Sequence, residues 1–166
     1  MSWKKDCGTT RRRRYKMLQI NKILYPCDLT EKSPKIIKYV LSFAEKYESE
    51  IHILHVVRDL HQWGELYVPY FSLEFDQKRI LESGREALNR ICDNHFKTST
   101  RYTKEVVSGD AAARILEIIA SRKIDMVIMG THGRKGLEHT IFGSVAEVVV
   151  KRSPVPVMTI NPYRAA

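Results

Sequence analysis

Apolar positions along this chain alternate between short continuous runs and a spacing of three and four, the signatures of buried strands and of helices lying on a sheet. Asn21 to Cys27 is apolar enough for a first strand, and Ser33-Pro34 then supplies an N-cap and a first-turn proline. Ile36, Ile37, Val40, Leu41, Ala44 and Tyr47 follow at helical spacing and form one apolar face. Ile51 to Val57 reads as a second strand. Asp76 to His95 is helical, with Ile80, Leu81, Ala87, Leu88, Ile91 and Cys92 supplying most of the buried stripe. Arg101 to Val107 is a third strand, and Gly109-Asp110 marks a turn and an N-cap before the helix Ala111 to Arg122, whose Ile115, Leu116, Ile118 and Ile119 face inward. Ile124 to Met129 reads as a fourth strand, Val145 to Arg152 as a fourth helix and Val155 to Ile160 as a final strand. The segment Arg58 to Phe75, with Trp63, Tyr67, Tyr70, Phe71 and Phe75, breaks the rhythm. It reads first as an aromatic loop packed on its own domain, with a lid or a partner surface as alternatives.

Strand and helix alternate throughout, so right-handed crossovers build a parallel sheet covered on both faces, a doubly wound α/β sandwich. Pro154 and Pro156 suit an edge position for the final strand, where a missing N–H costs little. In such sheets ligands bind beyond the carboxyl ends of the strands, where the strand order reverses.

One loop leaves from that end with unusual chemistry. Gly130-Thr-His-Gly133, nine further residues and Gly143-Ser144 join the fourth strand to the fourth helix. Glycines there allow positive φ and a close approach of backbone N–H groups to a ligand, and the positive end of the following helix favours an anion such as phosphate. A plainer reading has Gly130 ending a strand, Gly133 serving a turn and Ser144 acting as an N-cap. The connection runs about 14 residues from Gly130 to Gly143, however, beyond the usual two to six, and long ordered loops are disproportionately functional.

Length and charge narrow the classes. A chain of 166 residues is most simply one domain, large enough to bury roughly 70% of the surface its unfolded form exposes. The expected division is a flexible basic tail over residues 1–16 and a single domain over 17–166. That tail carries seven of the 28 basic residues against one of the 19 acidic ones, so it holds six of the nine net positive charges. Arg11 to Arg14 could touch nucleic acid or acidic lipid, but a solvated tail is the preferred reading, and no specific nucleic-acid partner is expected. The apolar runs are far shorter than the roughly 20 residues of a membrane span, and no signal-peptide core occurs, so a cytoplasmic protein without membrane association is expected. Cys7, Cys27 and Cys92 show neither a Cys-x-x-Cys pair nor zinc-ligand spacing, which suits a reducing compartment.

Catalytic signatures are missing. No Gly-x4-Gly-Lys-Ser/Thr, Gly-x-Ser-x-Gly, His-Glu-x-x-His or Gly-x-Gly-x-x-Gly occurs, so the lysine that bridges outer phosphates in P-loop enzymes has no counterpart.

Together these residues resemble the universal stress protein family. Gly130, Gly133, Gly143 and Ser144 match its glycine motif after the fourth strand, and Ile23 to Asp28 matches its first strand and Pro-x-Asp. Leu54-His-Val56 is similar to its second strand, Gly109 with Ile115 to its third turn and helix, and Pro154-Val-Pro-Val157 to its closing strand. The resemblance spans residues 20–161. It implies a three-layer sandwich of the adenine nucleotide alpha hydrolase-like, Rossmann-like type, with a five-stranded parallel sheet in the order 3-2-1-4-5. It further implies membership of the ATP-binding subgroup, which keeps the glycine motif. By that resemblance Asp28 hydrogen-bonds the adenosine moiety, backbone at Val56 meets the adenine edge, and Pro26 and Met129 line base and ribose. Gly130, His132, Gly133, Gly143, Ser144 and the amides of Val145 and Ala146 surround the phosphates. The expected ligand is ATP or AMP, with Mg²⁺ as an accompanying ion, held for a regulatory role in stress response without efficient turnover. A homodimer through Val155 to Ile160 is expected, since unpaired edge backbone invites another strand. A slow ATPase or self-phosphorylating enzyme, and a nucleotide-independent dimeric module, are the alternatives.

Overall fold

In the computed structural model the described residues are 18–59, 70–132 and 143–165, with the side chains of 70–75 excepted. The basic tail and Gly133 therefore lie outside them. Nine elements alternate along the chain: β1 (Lys22–Pro26), α1 (Ser33–Tyr47), β2 (Glu50–Val57), α2 (Tyr70–His95), β3 (Tyr102–Ser108), α3 (Ala111–Ser121), β4 (Met126–Gly130), α4 (Ser144–Arg152) and β5 (Val157–Ile160). The strands form one five-stranded sheet in the order β3-β2-β1-β4-β5, and every pairing is parallel. The expected three-layer α/β sandwich is the one observed, and β5 lies at an edge.

Strand periodicity splits the core into two layers. Ile23, Tyr25, Ile51, Ile53, Met126 and Ile128 point to the side covered by α1 and α2. Leu24, Leu54, Val127 and Met129 point to the opposite side, against Ala112, Ile115 and Ile119 of α3 and Ala146 and Val149 of α4. Consecutive residues face opposite ways, so central strands covered on both faces read as continuous apolar runs.

Several local expectations are corrected. Ser33 is the first residue of α1 and not its N-cap; that position is Lys32, which makes no side-chain capping bond. The Ser33 hydroxyl is committed to Asp28 instead. Helix α2 begins at Tyr70, six residues before the expected Asp76, so the end of the aromatic segment is helical. No glycine or proline interrupts residues 70–83, and aromatic residues are only modestly unfavourable in a helix. Ile80 is 38% exposed, and the inward face of α2 runs through Gln77, Gly84, Leu88 and Cys92. Gly84 allows α2 to lie close to the sheet there, because a Cβ would lie 3.3 Å from Val106 Cγ1 and 3.4 Å from the His55 ring. Ser144 is likewise the first residue of α4, whose N-cap is Gly143.

Other signals hold. Asp110 caps α3, its Oδ1 accepting from the Ala113 amide at 2.9 Å. Asp125, a polar break in the apolar run before β4, accepts from the Asn21 and Lys22 amides at 2.8 and 2.9 Å and so ties the start of β4 to the start of β1.

Candidate functional site

The strand order reverses between β1 and β4. From β1 the chain winds outward through β2 to β3, then crosses back to β4 and on to β5. A crevice beyond the carboxyl ends of these two neighbours follows from that reversal. Pro26 ends β1, paired with Leu54, and Asp28 stands half-buried two residues further on. Val56 lies beyond the β1–β2 ladder, which ends at Pro26 and Leu54, and it continues in register with Val107 of β3. Met129 and Gly130 close β4. The Met129 side chain is 5% exposed and packed in the α3/α4 layer, so it belongs to the floor beneath the strand ends.

The carboxylate of Asp28 is tightly engaged. Its Oδ1 accepts from the Thr30 amide at 3.1 Å, the Thr30 hydroxyl at 2.9 Å and the Ser33 hydroxyl at 2.9 Å. The first two bonds form an Asx-type turn, which Asp-x-Thr signals in sequence. The third comes from a helix and has no short-range signature.

Described residues bring the two ends of the glycine loop into direct contact. The Gly143 amide donates to the Thr131 carbonyl at 2.7 Å, and the Thr131 amide donates to the Ile160 carbonyl at 2.8 Å. Neither Gly130 nor Gly143 uses positive φ; Gly109 is the described glycine that does. What these two positions exclude is a side chain. A Cβ on Gly130 would lie 2.8 Å from Ile36 Cδ1 and 3.1 Å from the His132 carbonyl oxygen, and one on Gly143 would lie 3.2 Å from the Thr131 carbonyl oxygen. Helix α4 starts at this junction with Gly143, which has no side chain to cap it, at the N-cap, and with Ser144 exposed, Val145 half-buried and Ala146 buried. First-turn amides at a helix N-terminus suit an anionic group.

His132 is only 6% exposed. Its Nδ1 pairs with the Thr131 hydroxyl at 2.8 Å, and its ring meets the edge of Tyr163 with centroids 5.7 Å apart. Lys32 Nζ sits 3.7 Å from the centroid of the same tyrosine. Thr131, Tyr163 and Lys32 thus join the glycine loop to the start of α1 and the chain after β5, a convergence invisible in the sequence.

Cys27 is buried beside Asp28, and burial pushes its thiol above the ordinary range, the opposite of a reactive cysteine. Among the described residues no group of three or more His, Cys, Asp or Glu side chains could hold a metal ion. Two cavities lie at the other, amino end of the strands, one of about 270 Å³ bounded by His52, Glu105 and Arg122 and one of about 640 Å³ bounded by Ser49, His95 and Arg101.

A parallel sheet wound outward in both directions, with a glycine-bordered strand-to-helix loop at its switch point, defines a Rossmann-like α/β protein. Residues 19–161 match the sequence profile of the Universal stress protein family. The chain belongs to that family. It is 30% identical over 140 residues to Universal stress protein MJ0531 of Methanocaldococcus jannaschii, covering 84% of this chain and 81% of the relative. The solved structure of MJ0577 from the same organism superposes with a TM-score of 0.74 at 26% identity, over 86% of this chain and 96% of that one. The same fold recurs at 17% identity and a TM-score of 0.58 in a universal stress protein in complex with cAMP, over 87% of this chain and 98% of that one. It recurs again at 18% identity and a TM-score of 0.52 in an Arabidopsis thaliana family member with AMP bound, over 85% of this chain and 91% of that one. No helix among the described residues is long and apolar enough to cross a membrane.

Proposed function

We propose that this protein is an ATP-binding regulator acting in stress response, which holds the nucleotide without efficient turnover. The observation that carries the reading is the junction of Thr131 and Gly143, which sets the N-terminus of α4 and two side-chain-free positions at the switch point, beside the strand that leads to Asp28. Family members with cAMP and AMP bound support an adenine nucleotide as the ligand. In this reading Asp28 contacts the adenosine moiety, backbone at Val56 meets the adenine edge, and Pro26 with Met129 supports base and ribose. The phosphates lie against Gly130, His132, Gly133, Gly143, Ser144 and the amides of Val145 and Ala146, with Mg²⁺ as their counter-ion.

Little turnover is part of the proposal. Catalysis requires interactions stronger in the transition state than in the ground state, and the chain carries no recognisable motif for activating a nucleophile. The protein acts as a homodimer paired along the β5 edge, where Val157, Met158 and Thr159 are each half-buried.

Calorimetric titration with ATP and Mg²⁺ tests the central claim. One saturable binding event per chain is expected, with steady-state hydrolysis near background. Absence of both heat and thermal shift at millimolar nucleotide would refute it. Mass spectrometry of small molecules released from the purified protein then distinguishes ATP from AMP.

A further inference from the structure

Ser33 occupies the start of α1 with no exposed surface. Its hydroxyl donates outward to Asp28 Oδ1 at 2.9 Å and accepts from the Cys27 thiol at 3.6 Å. Its carbonyl accepts from the Tyr25 hydroxyl at 3.3 Å. The backbone just before Asp28 is also held, since the Cys27 carbonyl pairs with Nδ1 of buried His55 at 2.7 Å.

We infer that Ser33 is a positioning residue for nucleotide binding, its buried hydroxyl fixing the Asp28 carboxylate in one orientation before ligand arrives. The inference rests on the functional reading above, in which Asp28 contacts the adenosine moiety. The terminal torsion of an aspartate is broad, so an untethered carboxylate must be ordered when ligand binds, at a cost in affinity. Thr30 supplies two local bonds, but it is only two residues away and travels with the same loop. Ser33 differs because α1 is anchored in the core through Ile36, Ile37 and Val40. Its bond therefore refers the carboxylate to a rigid element.

A double-mutant cycle read by ATP titration tests this. Ser33→Ala is expected to weaken ATP about tenfold, the loss of one hydrogen bond to a charged group. In an Asp28→Ala background the same change is expected to cost less than about twofold, because the group it positions is gone. Ser33→Cys, of similar volume but a weaker donor, should give an intermediate loss with the same coupling, and it serves as the probe should Ser33→Ala not fold. Equal losses in both backgrounds, or an unchanged dissociation constant in the single variants, would overturn the inference. A purely structural role would lower the melting temperature without this coupling. A parent chain that does not bind ATP removes the functional reading and the inference together, whereas a parent that binds and is indifferent to Ser33 removes the inference alone.

Discussion

The amide of Gly143 and the carbonyl of Thr131 meet at 2.7 Å, so the start of α4 is tied to the residue that follows β4. A side chain on Gly143 would press on that same carbonyl, with its Cβ at 3.2 Å and the His132 Cα at 3.7 Å. Both neighbours are backbone and cannot rotate away. Gly143→Ala is therefore expected to cost about 1–3 kcal/mol of stability, measured by urea unfolding, the usual range for overpacking. ATP affinity should fall with it. A variant as stable as the parent would show that this junction is looser than its geometry.

Asp125 joins two strands that are far apart in sequence. Asp125→Ala leaves the Asn21 and Lys22 amides without their acceptor at an exposed strand end. A loss of about 1 kcal/mol is expected in chemical denaturation, since water replaces part of what is removed. Nucleotide binding at the opposite end of the sheet should be unchanged.

His52 carries a pH dependence. Burial lowers its affinity for a proton, outweighing the opposing attraction of Glu105 and Glu50, and the Arg122 guanidinium acts in the same direction as burial. Its Nδ1 pairs with Thr103 Oγ1 at 2.8 Å, while Nε2 lies 3.4 Å from Glu105 Oε2, misaligned and without a hydrogen-bond partner among the described residues. Because the folded pKa is depressed, the unfolded chain takes up the proton first. Stability should therefore fall as pH drops below the ordinary histidine value of about 6.5 and level off below the folded pKa. Urea unfolding across this range should show a shallower fall for His52→Gln than for the parent; parallel curves would assign the slope to other groups.

The β5 edge makes the last prediction. Light scattering should give two copies of the parent chain, and Thr159→Lys, placing a charge on the edge strand, should shift the population to monomer. A parent that is monomeric at high concentration would remove the dimer from the functional proposal.

Much of the fold was legible because strand and helix differ in period and each element carries its own signal. Asp110 announced α3, and the apolar run after Lys22 announced β1. Misreadings arose where one residue had two local uses. Ser33 looked like a cap because serine before proline commonly is one, yet its hydroxyl found a better partner in Asp28. Ile80 matched the helical stripe, but it lies on the flank of the buried face, 38% exposed, while Gly84 makes the close approach to the sheet.

By itself the sequence determined the order of elements, the parallel sheet and the glycine-bordered loop, since these follow from local periodicity and from where backbone must lie bare. Tertiary structure alone decided what the glycines are for and how the carboxylate is held. Positive φ is absent at Gly130 and Gly143, and what matters there is the nearness of Ile36, Thr131 and His132, atoms brought in by other parts of the chain. The same holds for Tyr163 between Lys32 and His132. Such contacts depend on how helices seat on a twisted sheet, a distance that no spacing along the chain encodes.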